Sequence, residues 1–269
     1  MHGNGNDFIL VDEFHSEVIP EERKSSWAQK VCRRRFSVGA DGVIFLLPSE
    51  TADVRMRLFN SDGSEAEMCG NGIRCLAKYA VEKGYASPPE ISVETLAGVM
   101  KIRCRERNGR FFAKVRMGVP KFRCEEIPAI CEGDFYEQNI SGFRVHAVNT
   151  GVPHAVIFVE DVESIDVERV APEIRHHPSF PKGANVNFVE IRGDSLVVRT
   201  FERGVEAETL SCGTGATASA AVARRLKLIE NDEITVFTRG GELIISFEGD
   251  EAYMEGPAET AFKGEIEEW

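Results

Sequence analysis

Alternation of apolar and polar positions begins early in the chain. DFILVDEF, GVIFLLP and DVRMRLF read as strands, the last setting Val54, Met56 and Leu58 against Arg55 and Arg57. VMKIRCRERNGRFFAKVRM reads as a long hairpin that turns at Asn108-Gly109, a pair suited to a tight two-residue loop. RVHAVNTG, HAVIFVED, VNFVEI, LVVRTF, EITVFT and ELIISFEG repeat the strand character later on. Two stretches change period. After Cys69, Ile73, Leu76, Ala77, Ala80 and Val81 form a helical stripe that stops at Gly84. After Cys212, GATASAAVARRLK predicts a helix so rich in Ala that it packs on several sides. Further surface helices are expected over 21–35 and 162–175, and the least patterned joint over about 113–145.

The blocks recur. GNDFILVDE at Gly5 resembles GVPHAVIFVED at Gly151, and FSVGADGVIF resembles FPKGANVNFV, which aligns Asp41 with Asn185. RLFNSDGSEAEMCGNG resembles RTFERGVEAETLSCGTG, aligning Asn60 with Glu202 and placing the two cysteines 143 residues apart (69 to 212). Collinear matches at nearly one offset imply two homologous halves; two copies with so long a period exclude a solenoid. The expected fold is therefore α/β of the α+β kind. Each of its two pseudosymmetric domains is a mainly antiparallel sheet wrapped against its Cys-headed helix. The expected halves are 1–113 plus about 257–269, and 114–256.

Composition narrows the partners. A net charge of −12 and a pI of 5.1 argue against nucleic acid or an anionic membrane surface. The start MHGNGNDFIL lacks the pattern of a signal peptide, and no apolar run approaches the roughly 18 residues of a membrane span. The seven cysteines form no CxxC and no Cys/His zinc pattern. Reduced thiols in a cytoplasmic protein are expected, with no metal.

Cys69 and Cys212 are placed for chemistry. A helix N-terminus offers unpaired N–H groups and partial positive charge, which lowers a thiol pKa from about 8.5. The same groups, uncrowded by Gly70, Gly72, Gly213 and Gly215, can hold a carboxylate. Two thiols facing each other across a carbon could take a proton from one face and return one to the other. CGNGIRC lacks the third glycine of a dinucleotide fingerprint, no GxxxxGK[ST] occurs, and no pyridoxal phosphate wiring is evident, so no cofactor is expected. Read alone, the single His of VPHAV is a structural residue, and Asn6 and Asn60 are turn residues.

HGNGNDF, GADG, FNSDGSEAEMCGNGIRC, GVPH, NVNFVE and ERGVEAETLSCGTGA together resemble the diaminopimelate epimerase family, from residue 2 to about 256. The resemblance implies two pseudosymmetric domains with substrate in the cleft and Cys69 and Cys212 as the acid–base pair. It also implies that His154 and Glu202 tune those thiols. Asn6, Asn60, Asn185, Glu202 and Arg203 would bind the substrate, and Gly70, Asn71, Gly213 and Thr214 would hold a carboxylate through loop amides. The implied reaction is LL-diaminopimelate to the meso form in lysine and cell-wall precursor synthesis, carried out by a homodimer without cofactor. Two positions depart from many members: Gly42 stands where they carry Gln, and Val152 where they carry Asn.

The alternatives are a proline- or hydroxyproline-like racemase, a thiol redox protein using Cys69 and Cys212, and a non-catalytic amino-acid-binding module. The Glu-Arg and Asn blocks favour a substrate with a second polar end. Paired carboxylate cradles serve no redox purpose, and a binding module needs neither thiol.

Overall fold

The computed structural model describes residues 1–267, so positions 268 and 269 of the expected 257–269 segment lie outside the described residues. The chain divides into two units: Met1–Val115 with the segment from Gly256 onward, and Arg116–Glu255.

In the first unit the strands are β1 (His2–Gly3), β2 (Asn6–Asp12), β3 (Gly42–Leu47), β4 (Val54–Asn60), β5 (Glu65–Ala66), β6 (Glu90–Thr95), β7 (Gly98–Arg107) and β8 (Arg110–Gly118). The helices are α1 (Lys24–Val31) and α2 (Gly70–Lys83). β2 and β3 pair in parallel, as do β4 and β6; β1–β2, β3–β4, β4–β5, β6–β7 and β7–β8 are antiparallel. The hairpin between β7 and β8 turns with positive φ at both Asn108 (54°) and Gly109 (71°), the conformation an Asn-Gly pair tolerates best.

The second unit adds β9 (Gln138–Ile140), β10 (Phe143–Asn149), β11 (Pro153–Phe158), β12 (Asn185–Arg192), β13 (Ser195–Glu202), β14 (Ala207–Thr209), β15 (Glu233–Thr238), β16 (Gly241–Glu248) and β17 (Glu251–Pro257). Its helices are α3 (Val167–Arg175) and α4 (Gly213–Arg225). From β10 onward the ladder repeats the first: β11 and β12 are parallel, β13 and β15 are parallel, and the other pairs are antiparallel. The same sequence of parallel and antiparallel steps in both units is the structural form of the internal duplication.

Each sheet surrounds one helix. α2 packs on β1, β2, β3, β4, β6 and β7, and α4 on β10 to β13, β15 and β16. α2 buries Ile73, Cys75, Leu76, Ala77 and Ala80. It ends where Gly84, at φ 73°, lets Tyr85 N–H reach back to the Ala80 carbonyl. In α4 every residue from Gly215 to Ala223 is buried. Ala and Ser side chains are short enough for strands to approach the helix from several directions.

Three expectations change. The 21–35 helix shrinks to a 3-10 turn (Glu21–Arg23) followed by α1, because the chain leaves the helix at Cys32 and takes a positive φ at Arg35. The 162–175 helix begins only at Val167, capped by the Asp166 carboxylate accepting from Arg169 N–H. The thiols are not all reduced. Turn bonds from Ile127 N–H and Ala129 N–H to the Cys124 carbonyl fold the joint back on itself, and Cys124 and Cys131 are disulfide-bonded with Cα atoms 5.8 Å apart. Cys32, Cys75 and Cys104 are not disulfide-bonded. Among the described residues no helix is long and apolar enough to cross a membrane.

Candidate active site

Cys69 and Cys212 are the N-cap residues of α2 and α4, both in extended conformation (φ −139°, ψ 122° and φ −118°, ψ 109°). An extended cap turns the chain into the helix so that the N–H groups of the first turn have no intrahelical acceptor. The glycines that follow are needed for close approach. A Cβ on Gly72 would lie 3.2 Å from Ile44 Cδ1, and one on Gly215 only 2.4 Å from Asn187 Oδ1.

Around Cys69 the amides form a chain. Asn6 donates through Nδ2 to Asp41 (2.7 Å), and Arg34 in turn grips both Asp41 and Asp7. With its donor thus held, the Asn6 amide presents Oδ1 to Asn71 Nδ2 (3.2 Å) and to Cys69 Sγ (3.8 Å). Asn6, Asn71, Gly70 and Cys69 are therefore brought together. Asn60 takes the turn role: it donates to Ser64 Oγ at 2.9 Å within the 60–64 turn.

Around Cys212 the surroundings differ. Sγ lies 3.4 Å from Thr214 Oγ1, and the Thr214 carbonyl accepts from Thr150 Oγ1. His154 is wholly buried on β11 between two asparagines, with Asn187 Nδ2 at 3.1 Å from Nδ1 and Asn185 Nδ2 at 3.4 Å from Nε2. Asn187 is itself fixed by donating to the Ala155 carbonyl and accepting from Thr200 Oγ1. That orientation makes Nδ1 the acceptor and assigns the imidazole proton to Nε2. Burial pushes the His154 pKa down to about 3, so the ring is neutral at physiological pH. Asn185 Oδ1 accepts from Arg203 N–H at 2.7 Å, while the Arg203 guanidinium reaches the carbonyls of Lys182 and Gly183. Glu202, at the end of β13, accepts from Thr209 Oγ1.

Register corrects one alignment. Gly42 pairs with Phe8 and opposes Asn60; Asn185 pairs with His154 and precedes Val186, which opposes Phe201. Asn185 thus corresponds to Gly42, and not to Asp41 as the GADG and GANV blocks suggest. One extra residue between the positive-φ glycine and the strand in the first unit accounts for the slip (39 to 42 against 183 to 185). At Gly42 a Cβ would fall 2.7 Å from the Phe59 carbonyl oxygen, so the backbone here leaves no room for a side chain.

The sequence reading missed Arg74 and Asn4. Arg74 is wholly buried, and its guanidinium donates to the Gly70 carbonyl (3.3 Å), Asn4 Oδ1 (3.0 Å) and Asn71 Oδ1 (2.6 Å). Its available signal was an arginine inside the apolar stripe of a helix. The other thiols are inert: desolvation pushes Cys75 and Cys104 up to about 12 and Cys32 up to about 11. Among the described residues no group of three or more His, Cys, Asp or Glu gathers as a metal site.

This duplicated α/β fold belongs to a class with known structures. A PhzF-family phenazine biosynthesis protein from Bacillus anthracis superposes with a TM-score of 0.71 at 21% identity, covering 96% of this chain and 93% of the other. A hydroxyproline epimerase from Agrobacterium vitis gives 0.65 at 17% identity, covering 95% and 86%. Within that class, the model of the diaminopimelate epimerase family matches residues 1–123 and 146–261, and the chain belongs to this family. The diaminopimelate epimerase of Methanothrix thermoacetophila is 60% identical over 266 residues, 99% of this chain and 94% of its own.

Proposed function

We propose that the chain converts LL-diaminopimelate to the meso isomer without a cofactor, with Cys69 and Cys212 moving the protons. The observation that carries this reading is the pair of extended-cap cysteines heading the central helices of two repeated units. One thiolate would remove the α proton, leaving a nearly planar carbanion, and the opposite thiol would protonate the other face. The first-turn N–H groups of Gly70 and Asn71, and of Gly213 and Thr214, would hold the α-carboxylate and stabilise the charge that grows on it.

Neutral His154 would act by accepting from Asn187 and so fixing the polar network packed against α4, since a buried imidazole of this kind carries no charge to lend a thiolate. Asn6, Asn60, Asn185, Glu202 and Arg203 would bind the remainder of the substrate. Glu202 and Arg203 break the symmetry, because Asn60 and Ser61 stand at the equivalent place in the first unit. A distal ammonium and carboxylate would find partners there, which favours diaminopimelate over proline. Chiral chromatography of the purified protein with LL-diaminopimelate, DD-diaminopimelate and proline tests the reading. Conversion of the LL isomer to meso, lost in both Cys69→Ala and Cys212→Ala, is expected. Equal turnover of proline, or near-normal turnover by either variant, contradicts it.

A further inference from the structure

In each unit the turn leading into β2 or β11 is tied to the first turn of the cysteine-headed helix. The register that matches Gly42 to Asn185 also matches Asn4 to Thr150, Gly5 to Gly151 and Asn6 to Val152. In the first unit the tie runs through a third side chain: Arg74 donates to Asn4 Oδ1 at 3.0 Å and to Asn71 Oδ1 at 2.6 Å. In the second it is direct. Thr150, only 4% exposed, donates through Oγ1 to the Thr214 carbonyl at 2.9 Å, and Thr214 Oγ1 lies 3.4 Å from Cys212 Sγ. The turn that carries Thr150 is itself braced on both sides. Asn149 accepts through Oδ1 from Gly151 N–H at 2.9 Å and donates through Nδ2 to the Glu126 carbonyl at 2.7 Å. Val152 stands where Asn6 sets its carboxamide oxygen against Asn71 and Cys69, and it has no polar side-chain atom to offer. What recurs in both units is the tie, made by different side chains.

We propose that Thr150 is a positioning residue for Cys212: it holds the Thr214 peptide and so keeps the first turn of α4 wound behind the cap. The inference rests on the two-cysteine reading given above. A first helical turn is where a helix frays, and the field of a helix N-terminus falls off within that same turn. A cap thiol therefore has its pKa lowered only while the turn stays wound. The Thr214 hydroxyl can donate to a thiolate and accept from a thiol, so fixing its place serves Cys212 in both protonation states. Thr150 acts through Thr214 and makes or breaks no covalent bond.

The test follows the Cβ resonances of carbon-13-labelled cysteine across a pH series in the substrate-free protein. Each resonance is assigned by the loss of its signal in the corresponding Ala variant. Thr150→Val removes the hydroxyl at nearly constant volume. It should raise the titration midpoint of Cys212 by about one pH unit, leave that of Cys69 where it was, and lower kcat with LL-diaminopimelate about tenfold below that midpoint. Thr150→Ser, which keeps the donor, should restore the wild-type titration. Should Thr150→Val fail to fold, Asn149→Ala loosens the same turn with the Thr150 hydroxyl intact, and the same shift is expected in smaller measure. An unmoved Cys212 midpoint in a folded Thr150→Val or Asn149→Ala protein overturns the proposal, as does an equal shift at Cys69, which would mean general loosening. Because the titration is read without substrate, a Thr150-dependent Cys212 midpoint in a protein that fails to epimerise would refute the reaction and leave the positioning role standing.

Discussion

Phe8 and His154 occupy the same register position in their two units: Phe8 pairs in parallel with Gly42, and His154 with Asn185. The next inward positions differ likewise, with Ile44 Cδ1 against Gly72 and Asn187 Oδ1 against Gly215. A repeated backbone thus carries an apolar floor beneath one cysteine-headed helix and a hydrogen-bonded polar floor beneath the other. The backbone repeats from one unit to the other, and the side chains do not.

The polar floor makes stability depend on pH. His154 titrates near 6.5 when unfolded and near 3 when folded, so the unfolded chain binds the extra proton between those values. At neutral pH both states are neutral and the group contributes no pH dependence. As pH falls from about 6.5 toward 3 the native state loses up to about 1.4 kcal/mol per pH unit. Denaturant midpoints of wild type and His154→Gln at pH 7 and pH 5 check this. The wild type should lose more stability than the variant over that interval; parallel losses would show that His154 is not held neutral.

Gly215 and Gly72 are equivalent positions with different neighbours. Gly215→Ala would force a Cβ onto Asn187 Oδ1, which fixes both Thr200 and the His154 amide partner, and should cost about 1–3 kcal/mol. Gly72→Ala meets only the tip of Ile44 at 3.2 Å and should cost less. Thermal or urea unfolding ranks the two, and equal costs would contradict the packing described.

The Cys124–Cys131 bridge closes a short loop. Closing a loop of this length stabilises by about 2–3 kcal/mol in the chain-entropy treatment. Reductant should lower the unfolding midpoint of the wild type while leaving Cys124→Ser insensitive, and non-reducing peptide maps should show this crosslink. A reductant-independent midpoint would show that the bridge contributes nothing.

The cysteine-headed helices were legible in the sequence because local rules decide them: an apolar stripe, glycines in the first turn and Gly84 as a stop. The duplication was legible because collinear blocks survive in both halves. The pairing of Asn185 with the wrong partner came from a single inserted residue, which block matching cannot see and strand register reveals. Arg74 was hidden because a charged residue in an amphipathic helix is ordinarily solvated; only the sheet wrapped around α2, with Asn4 delivered by the β1–β2 turn, buries it. Cys124 and Cys131 carry no spacing signature, and their pairing depends on a turn that composition does not specify. His154 and Asn6 read alone as structural residues, and each is held in a local hydrogen-bond network.

The proposed transfer of protons by two different thiols is tested most directly by the isotope content of both isomers early in the reaction. LL-diaminopimelate is incubated with the protein in deuterated water and stopped after a small fraction has turned over. With separate groups on the two faces, the meso product should carry one α-deuterium from the solvent-exchanged thiol, while recovered LL substrate stays unlabelled. Equal α-deuterium in substrate and product at that stage would mean that one group serves both faces, and the paired roles of Cys69 and Cys212 would fall.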